Sequence, residues 1–488
     1  MNKLLLLLWL VAATPALAQR TETLSLADVI GMAQQKSPAY ARARNTFENN
    51  YWRYKNYRAS MLPALNLNGT LPNINRSIER ITLPDGSDAF VDRSLATSSA
   101  VLSIDQNLPL TGGRFSVLSG LQRIDLFGAT NSTSFLSTPI SISYFQNNVF
   151  YNDFRWQRRI EPLVFEEARR AYAEQMEDIA LQATNLFFEL LAAENNFRLA
   201  EINLANTDTL YKISKGRFDL GKIAENDLLQ IELSLLNARN RVAETGLELE
   251  LRQQDLRRFL SIPDAYTLQL TVPENTRFFE VSPERALEES RSNRQAVLQF
   301  RRRRLEAEQQ VARMRGENGV QLGISANFGL TQRGTVLGSV YTNPQDQQTV
   351  ALTLNVPLVN WGLNKSRIRM AEANRELTEV NVQQDEINFE QEIRLQVMRF
   401  AILRDQLLVA AKADTIAQKR FEVTKERYLI GKISITDLNL SIQEKDQARQ
   451  AYIQMLRTYW NNYYLLRRLT LYDFERAQKI SPRSAELR

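Results

Sequence analysis

Residues 217–239 read RFDLGKIAENDLLQIELSLLNAR and residues 427–449 read RYLIGKISITDLNLSIQEKDQAR. A constant offset of 210 aligns Arg217 with Arg427, Gly221 with Gly431, Lys222 with Lys432, Ile223 with Ile433, Asp227 with Asp437, Leu228 with Leu438 and Arg239 with Arg449, without a gap. Each segment has the pattern of a helix that stops at a glycine suited to a left-handed backbone, a short link, and a new helix whose first turn carries an Asp. An acid there is favoured by the positive end of the helix dipole. The chain therefore makes one tight helical hairpin twice, and Asp227 and Asp437 are candidates both for helix capping and for a functional role.

Working outward from the turns, apolar or small residues recur N-terminal to the first at Phe165, Ala168, Tyr172, Met176, Ile179, Ala183, Leu186, Leu190, Ala193, Phe197, Ala200 and Leu204. Steps alternating between three and four residues are the period of a coiled-coil seam. Neither Pro nor Gly falls between Pro162 and Gly216, so a single helix is expected across that span. Before the second turn, Phe389, Ile393, Phe400, Leu403, Leu407, Ala410, Ala417 and Phe421 keep the same spacing. Alanines in the seam let helices approach closely, which suits a packed wall of helices.

Composition narrows the chemistry. Of 488 residues, 61 are Lys or Arg and 55 Asp or Glu, and there is neither His nor Cys. Thiol and imidazole catalysis, His/Cys zinc sites and disulfides are thereby excluded. A net charge of +6 spread over this length gives no concentrated basic patch, so no nucleic-acid partner is expected. No phosphate-binding glycine loop or catalytic carboxylate pair stands out, so no catalytic residue, metal or cofactor is assigned.

The N-terminus reads as an export signal over residues 1–18: Lys3, an apolar run from Leu4 to Ala13, and Ala16-Leu17-Ala18 before Gln19. That run is too short to span a bilayer, and no other stretch approaches a spanning helix. Should the exported chain be a membrane protein, it must be a barrel.

Strand patterns occur in both halves. Val320, Leu322, Ile324, Ala326, Phe328 and Leu330 alternate with polar or small residues, as do Val350, Leu352, Leu354, Val356 and Leu358. In the first half Leu65 and Leu67 open one strand and Ile140, Ile142 and Tyr144 form a partner. Between them, Leu102 and Ile104, the turn Thr111-Gly112-Gly113 and segments through Phe127 add a hairpin that the second half lacks. Two strands per half make four per chain, too few to close around a channel, so copies of the chain are expected to complete a barrel. A soluble four-stranded sandwich is the alternative that alternation leaves open. The aromatic cluster Tyr51, Trp52, Tyr54 and Tyr57 suits either a membrane-interface belt or packing, and the run Arg301 to Arg304 reads as a solvated helix face.

The expected organisation is thus a signal peptide 1–18 and a first repeat 19–262, with helices 24–60, strands and hairpin 64–147, and long helices 157–216 and 226–260. A proline-bearing connector follows at 263–281. The second repeat, 282–470, has helices 283–316, strands 320–331 and 349–358, and long helices 364–428 and 434–470. The polar tail 471–488 is expected to be loosely held.

The export signal, the opening TLSLADVIGMAQQKSPAY, the duplication and above all the paired RF-x-x-G-K-I and RY-x-x-G-K-I-S-I-T-D turns resemble the TolC-type outer-membrane efflux protein family over essentially the whole mature chain. The segment YFQNNVFYNDFRWQRRIEPL and the added hairpin are similar to its Bacteroidetes-like branch. The resemblance implies an α+β membrane protein: an outer-membrane β-barrel completed by trimerisation and continued by a long periplasmic α-helical coiled-coil tunnel. It implies a passive exit duct of a tripartite efflux or type I secretion system. Its partners would be a periplasmic membrane-fusion adaptor, an inner-membrane pump of RND or ABC type and outer-membrane lipid.

By the same resemblance, adaptor hairpins would dock at the turns, carried by Arg217, Phe218, Gly221, Lys222, Arg427, Gly431 and Lys432. Asp437 matches an acidic position of the family's closing ring, whose next acidic position is Leu440 here. Such a ring would make gating responsive to pH or divalent ions. The tie between neighbouring coiled coils, a Tyr bonding an Asp, matches Tyr428 and Asp227, with Ile433 where the family has a basic partner. The alternative function is a periplasmic coiled-coil scaffold without a pore.

Overall fold

A computed structural model describes residues 20–128, 131–263, 266–273, 278–430 and 432–481. The signal segment, Gly431 and residues 482–488 lie outside the described residues. In chain order the elements are β1 (Arg20–Leu24), α1 (Leu26–Lys36), α2 (Pro38–Ser60), β2 (Ala64–Thr82), β3 (Asp88–Asn107), β4 (Arg114–Phe127), β5 (Ser132–Gln146), α3 (Asp153–Asp219) and α4 (Glu225–Leu260). They continue with β6 (Tyr266–Leu270), α5 (Pro283–Asn293), α6 (Gln295–Asn318), β7 (Gln321–Gly334), β8 (Gln345–Asn355), α7 (Leu363–Leu429), α8 (Ile435–Thr470) and the two short strands β9 (Tyr472–Asp473) and β10 (Gln478–Lys479).

α3 and α7 each have 67 residues, about 100 Å at 1.5 Å per residue. Buried side chains follow the three-and-four spacing: Tyr172, Ile179, Ala183, Leu190, Ala193 and Ala200 in α3, and Phe389, Ile393, Phe400, Leu403, Leu407 and Phe421 in α7. α3 starts ahead of Pro162 and carries it inside the helix. Among the described residues, no helix is long and apolar enough to cross a membrane.

The chain divides into two compact units. The helical unit draws on residues 20–47, 169–294 and 389–481. Within it, α8 is bonded to both long helices. Arg457 donates to Asn185 at 2.6 Å and to Glu189 at 2.6 Å on α3, and Arg449 reaches Asp414 of α7 at 2.9 Å. α4 joins α3 through Arg252 and Glu189 at 3.3 Å. β1 and β6 pair in parallel, Arg20 opposite Tyr266 to Leu24 opposite Leu270, a pair too short to be visible as alternation in the connector. The start of the tail departs from expectation: Tyr472 and Asp473 are buried, β9 pairs with β10, and Arg467 bridges the carboxylates of Glu177 at 2.8 Å and Asp473 at 3.1 Å, whereas residues 475–479 are exposed. Composition hid this because a polar segment becomes ordered once its charges find partners.

The sheet unit draws on residues 48–168 and 295–388. Its six strands are ordered β2-β3-β4-β5-β7-β8, all antiparallel. The expectation of two strands per half fails in the first half, because the added hairpin occupies the middle of this sheet as β3 and β4, turning at Gly112 with φ +88°. Tyr54 stacks on Phe165 with ring centroids 4.7 Å apart, while Trp52 is exposed. Three arginines of the run 301–304 are engaged in ion pairs, while Arg301 is exposed. Arg302 pairs with Glu167 at 2.7 Å, Arg303 with Asp385 at 2.6 Å, and Arg304 with Glu379 at 3.0 Å and Glu386 at 2.8 Å. The acids come from α3 and α7, far off in sequence, so the run alone could not reveal them.

Candidate functional site

The two glycine turns lie in the helical unit, where their backbone follows one plan. At the first, the Lys222 amide donates to the Arg217 carbonyl at 2.8 Å and the Gly221 amide to the Phe218 carbonyl at 2.8 Å. This pair of bonds is the Schellman termination of a helix, and it requires a left-handed residue at its centre. Gly221 supplies it at φ +67°. At the second turn, the Lys432 amide donates to the Arg427 carbonyl at 2.9 Å, the same bond at the same repeat position.

Restarting the helix is where the turns differ. Ser434 caps α8 in a reciprocal box: its hydroxyl accepts from the Asp437 amide at 3.2 Å and donates to Asp437 Oδ2 at 2.7 Å, while the Ser434 amide also donates to that oxygen, at 3.3 Å. The position equivalent to Ser434 is Ala224, and α4 starts with no side-chain cap. The S-x-x-D spacing that announces this box was present in the sequence.

Both hairpins share one apolar cluster of Leu210, Ile231, Phe421, Tyr428, Ile435 and Leu438, flanked by Tyr211, Ile433 and Ile442. Tyr428 is its polar handle. Its hydroxyl lies 3.3 Å from Ser214 Oγ, and Arg217 sits over its ring at 5.9 Å. Arg217 also donates to the Leu429 carbonyl at 3.0 Å, so a side chain of the first turn holds the backbone of the second. Further along, Lys445 is buried with its ammonium 4.5 Å from the Phe421 ring centroid.

The structure thus brings Arg217, Tyr428 and both turns together, but pairs Tyr428 with Ser214, not Asp227, within the chain. Asp227 is half-buried, whereas Phe218, Lys222, Arg427, Lys432 and Asp437 are exposed. Gly431 lies outside the described residues. Ser214 and the cluster residues escaped the sequence reading because only the packing of the two repeats places them together.

The Ser434 hydroxyl, reinforced by the Ser434 amide, holds the Asp437 carboxyl below the usual carboxylate range. Leu440, one turn on, is about half exposed at 47%. Among the described residues, no group of acids is arranged to hold a metal ion.

Residues 286–470 match the sequence model of the family described as outer membrane efflux protein. No curated protein matches the sequence. Solved structures share the fold along nearly the whole chain. The Campylobacter jejuni CmeC outer membrane channel aligns at 16% identity and a TM-score of 0.66, covering 93% of this chain and 87% of its own. CusC, described for the conformational changes accompanying folding and transmembrane channel formation, aligns at 14% identity and 0.63, covering 91% of each. The open state of the Neisseria gonorrhoeae MtrE outer membrane channel aligns at 14% and 0.60, covering 94% and 91%.

Proposed function

We propose, from the match of residues 286–470 to the outer membrane efflux protein model and the fold shared with outer-membrane channels, that the chain is an outer-membrane transport protein, the exit duct of a tripartite efflux or type I secretion assembly. The duct is passive: three copies enclose it, and a periplasmic adaptor with an inner-membrane pump opens it at the turns. The observation that carries this reading is the shared cluster under the two turns. A gate needs a small number of places where two hairpins are held together and can be released, and Tyr428 with Arg217 is such a place. The exposed basic groups of Arg427, Lys222 and Lys432 surround the turns and offer an adaptor a polar docking surface. Copies of Asp437 around a threefold axis would favour cations over anions at the opening.

The scaffold reading gains no support from the sheet, whose Leu65, Leu67, Leu352 and Leu354 are more than half exposed. Such a surface suits lipid and is a liability in water. The proposal is tested in cells lacking the gene and complemented with the chain or with Asp227→Ala, Tyr428→Phe. The intact chain is expected to restore resistance to exported compounds, and the double variant to raise vancomycin sensitivity at equal abundance. Complementation that changes no susceptibility and no secreted product, with protein verified in the outer membrane, would contradict the role.

A further inference from the structure

One row across the sheet runs Leu65–Ile104–Val117–Ile142–Phe328–Gln348, each residue directly opposite the next. The first five side chains are apolar and lie on one face, because residues opposite each other in an antiparallel pair point the same way. On the other face Asp105 accepts from Asn66, Ser103 and Ser116 at 2.9, 2.9 and 2.6 Å, and Ser141 bonds Asn327. At the level of this row the inserted strands β3 and β4 therefore carry the same apolar and polar faces as their neighbours. At that level all six strands qualify as membrane wall.

The row is not level with the strand ends. Leu65 lies one residue from the start of β2 at Ala64, whereas Gln348 lies seven from the end of β8 at Asn355. Ala64 and Asn355 both adjoin helices, so they belong to the same end of the sheet. The stagger across one copy is thus six residues over six strands, equivalent to a strand tilt of about 35°, which is what a closed barrel requires. β2 and β8 are the open edges, and unpaired edges are not tolerated in lipid. With an even strand number, β8 of one copy meets β2 of the next antiparallel.

We infer that β8 pairs with β2 of a second copy, Leu354 opposite Leu65 and Leu352 opposite Leu67, so that three copies close an eighteen-stranded barrel. This rests on the trimeric duct proposed above and replaces the expected four strands per copy by six. The even stagger keeps apolar opposite apolar, while Asn66 falls opposite Thr353 on the polar face. The barrel would be about 34 Å across between backbones, against about 22 Å for four strands per copy. Widened this way, the wall leaves a water-filled passage like that of large porins.

The absence of cysteine makes disulfide trapping in the full chain direct. Leu67→Cys with Leu352→Cys, oxidised in outer membranes, is expected to give covalent dimers and trimers on non-reducing gels, and Leu67→Cys with Thr353→Cys, on opposite faces, none. Val117→Cys with Ile142→Cys is expected to close within one chain, read as loss of maleimide labelling, because β4 and β5 are adjacent in the wall. Single-cysteine variants verify insertion. Trimers from the first pair with Val117 and Ile142 left reactive would overturn the eighteen-stranded wall while keeping the trimer. Trapping by Leu67→Cys with Val350→Cys in preference to Leu352→Cys would overturn the register. No intersubunit product from inserted protein would overturn the closure and the trimeric duct with it.

Discussion

The two hairpin turns share a sequence plan, yet the same carboxylate position does different work in each. Asp437 is engaged by Ser434 in a reciprocal cap, whereas Asp227 follows Ala224, which offers no side-chain oxygen. The shared motif goes with the shared backbone bond of the turn, and a single serine decides whether the acid serves its own helix or remains available to another surface. The second turn is consequently the better capped start of a helix.

The largest expected effect comes from the cluster that joins them. Tyr428→Ala removes a buried ring and its hydroxyl, and should destabilise the joined turns by about 3–5 kcal/mol, read as protease nicking at both hairpins. Tyr428→Phe removes only the contact with Ser214 and should cost about 1 kcal/mol. If the two variants behave alike, the ring is not what joins the hairpins. Next, Gly221→Ala forces a Cβ into a left-handed backbone and should cost about 1–2 kcal/mol locally, measured by amide exchange in the last turn of α3.

Ser434→Ala should accelerate exchange in the first turn of α8 by about 1 kcal/mol, and Ala224→Ser should protect α4 by a smaller amount, about 0.5 kcal/mol. Equal protection of both helices in the natural chain would contradict the asymmetry.

An effect that shows only as a pH dependence concerns a second divergence between the aligned halves: Glu194 occupies the position that is Arg404 in the other half. Burial pushes the Glu194 carboxyl up to about 7, against the opposing Leu270 amide and Arg198. Because its folded value lies above its unfolded one, the stability that goes with the protonated form is full below the ordinary carboxylate range and is lost as pH rises through about 7. Glu194→Gln should flatten this decline, a gain on the order of 1 kcal/mol at pH 8. An unchanged pH profile of thermal unfolding would show that the carboxyl is solvated.

Much of the helical architecture was legible because it is periodic. Tyr172, Ala183 and Phe400 sit on the buried side at the spacing that the sequence displays. The glycine turns were legible because a repeated motif at a fixed offset is independent of packing. What was not legible depends on partners distant in sequence: Arg304 with Glu379 and Glu386, Tyr428 with Ser214, and the parallel pairing of β1 with β6. The hairpin of β3 and β4 was visible as strands, but its place in the middle of the sheet came only from register.

The most direct test of the account is single-channel conductance of the purified mature chain in a planar lipid bilayer, with Asp437→Ala alongside. The account predicts small, cation-selective steps that grow in the variant. Steps indifferent to the substitution would move the gate away from Asp437, and a repeated absence of steps from protein verified as inserted would contradict a channel.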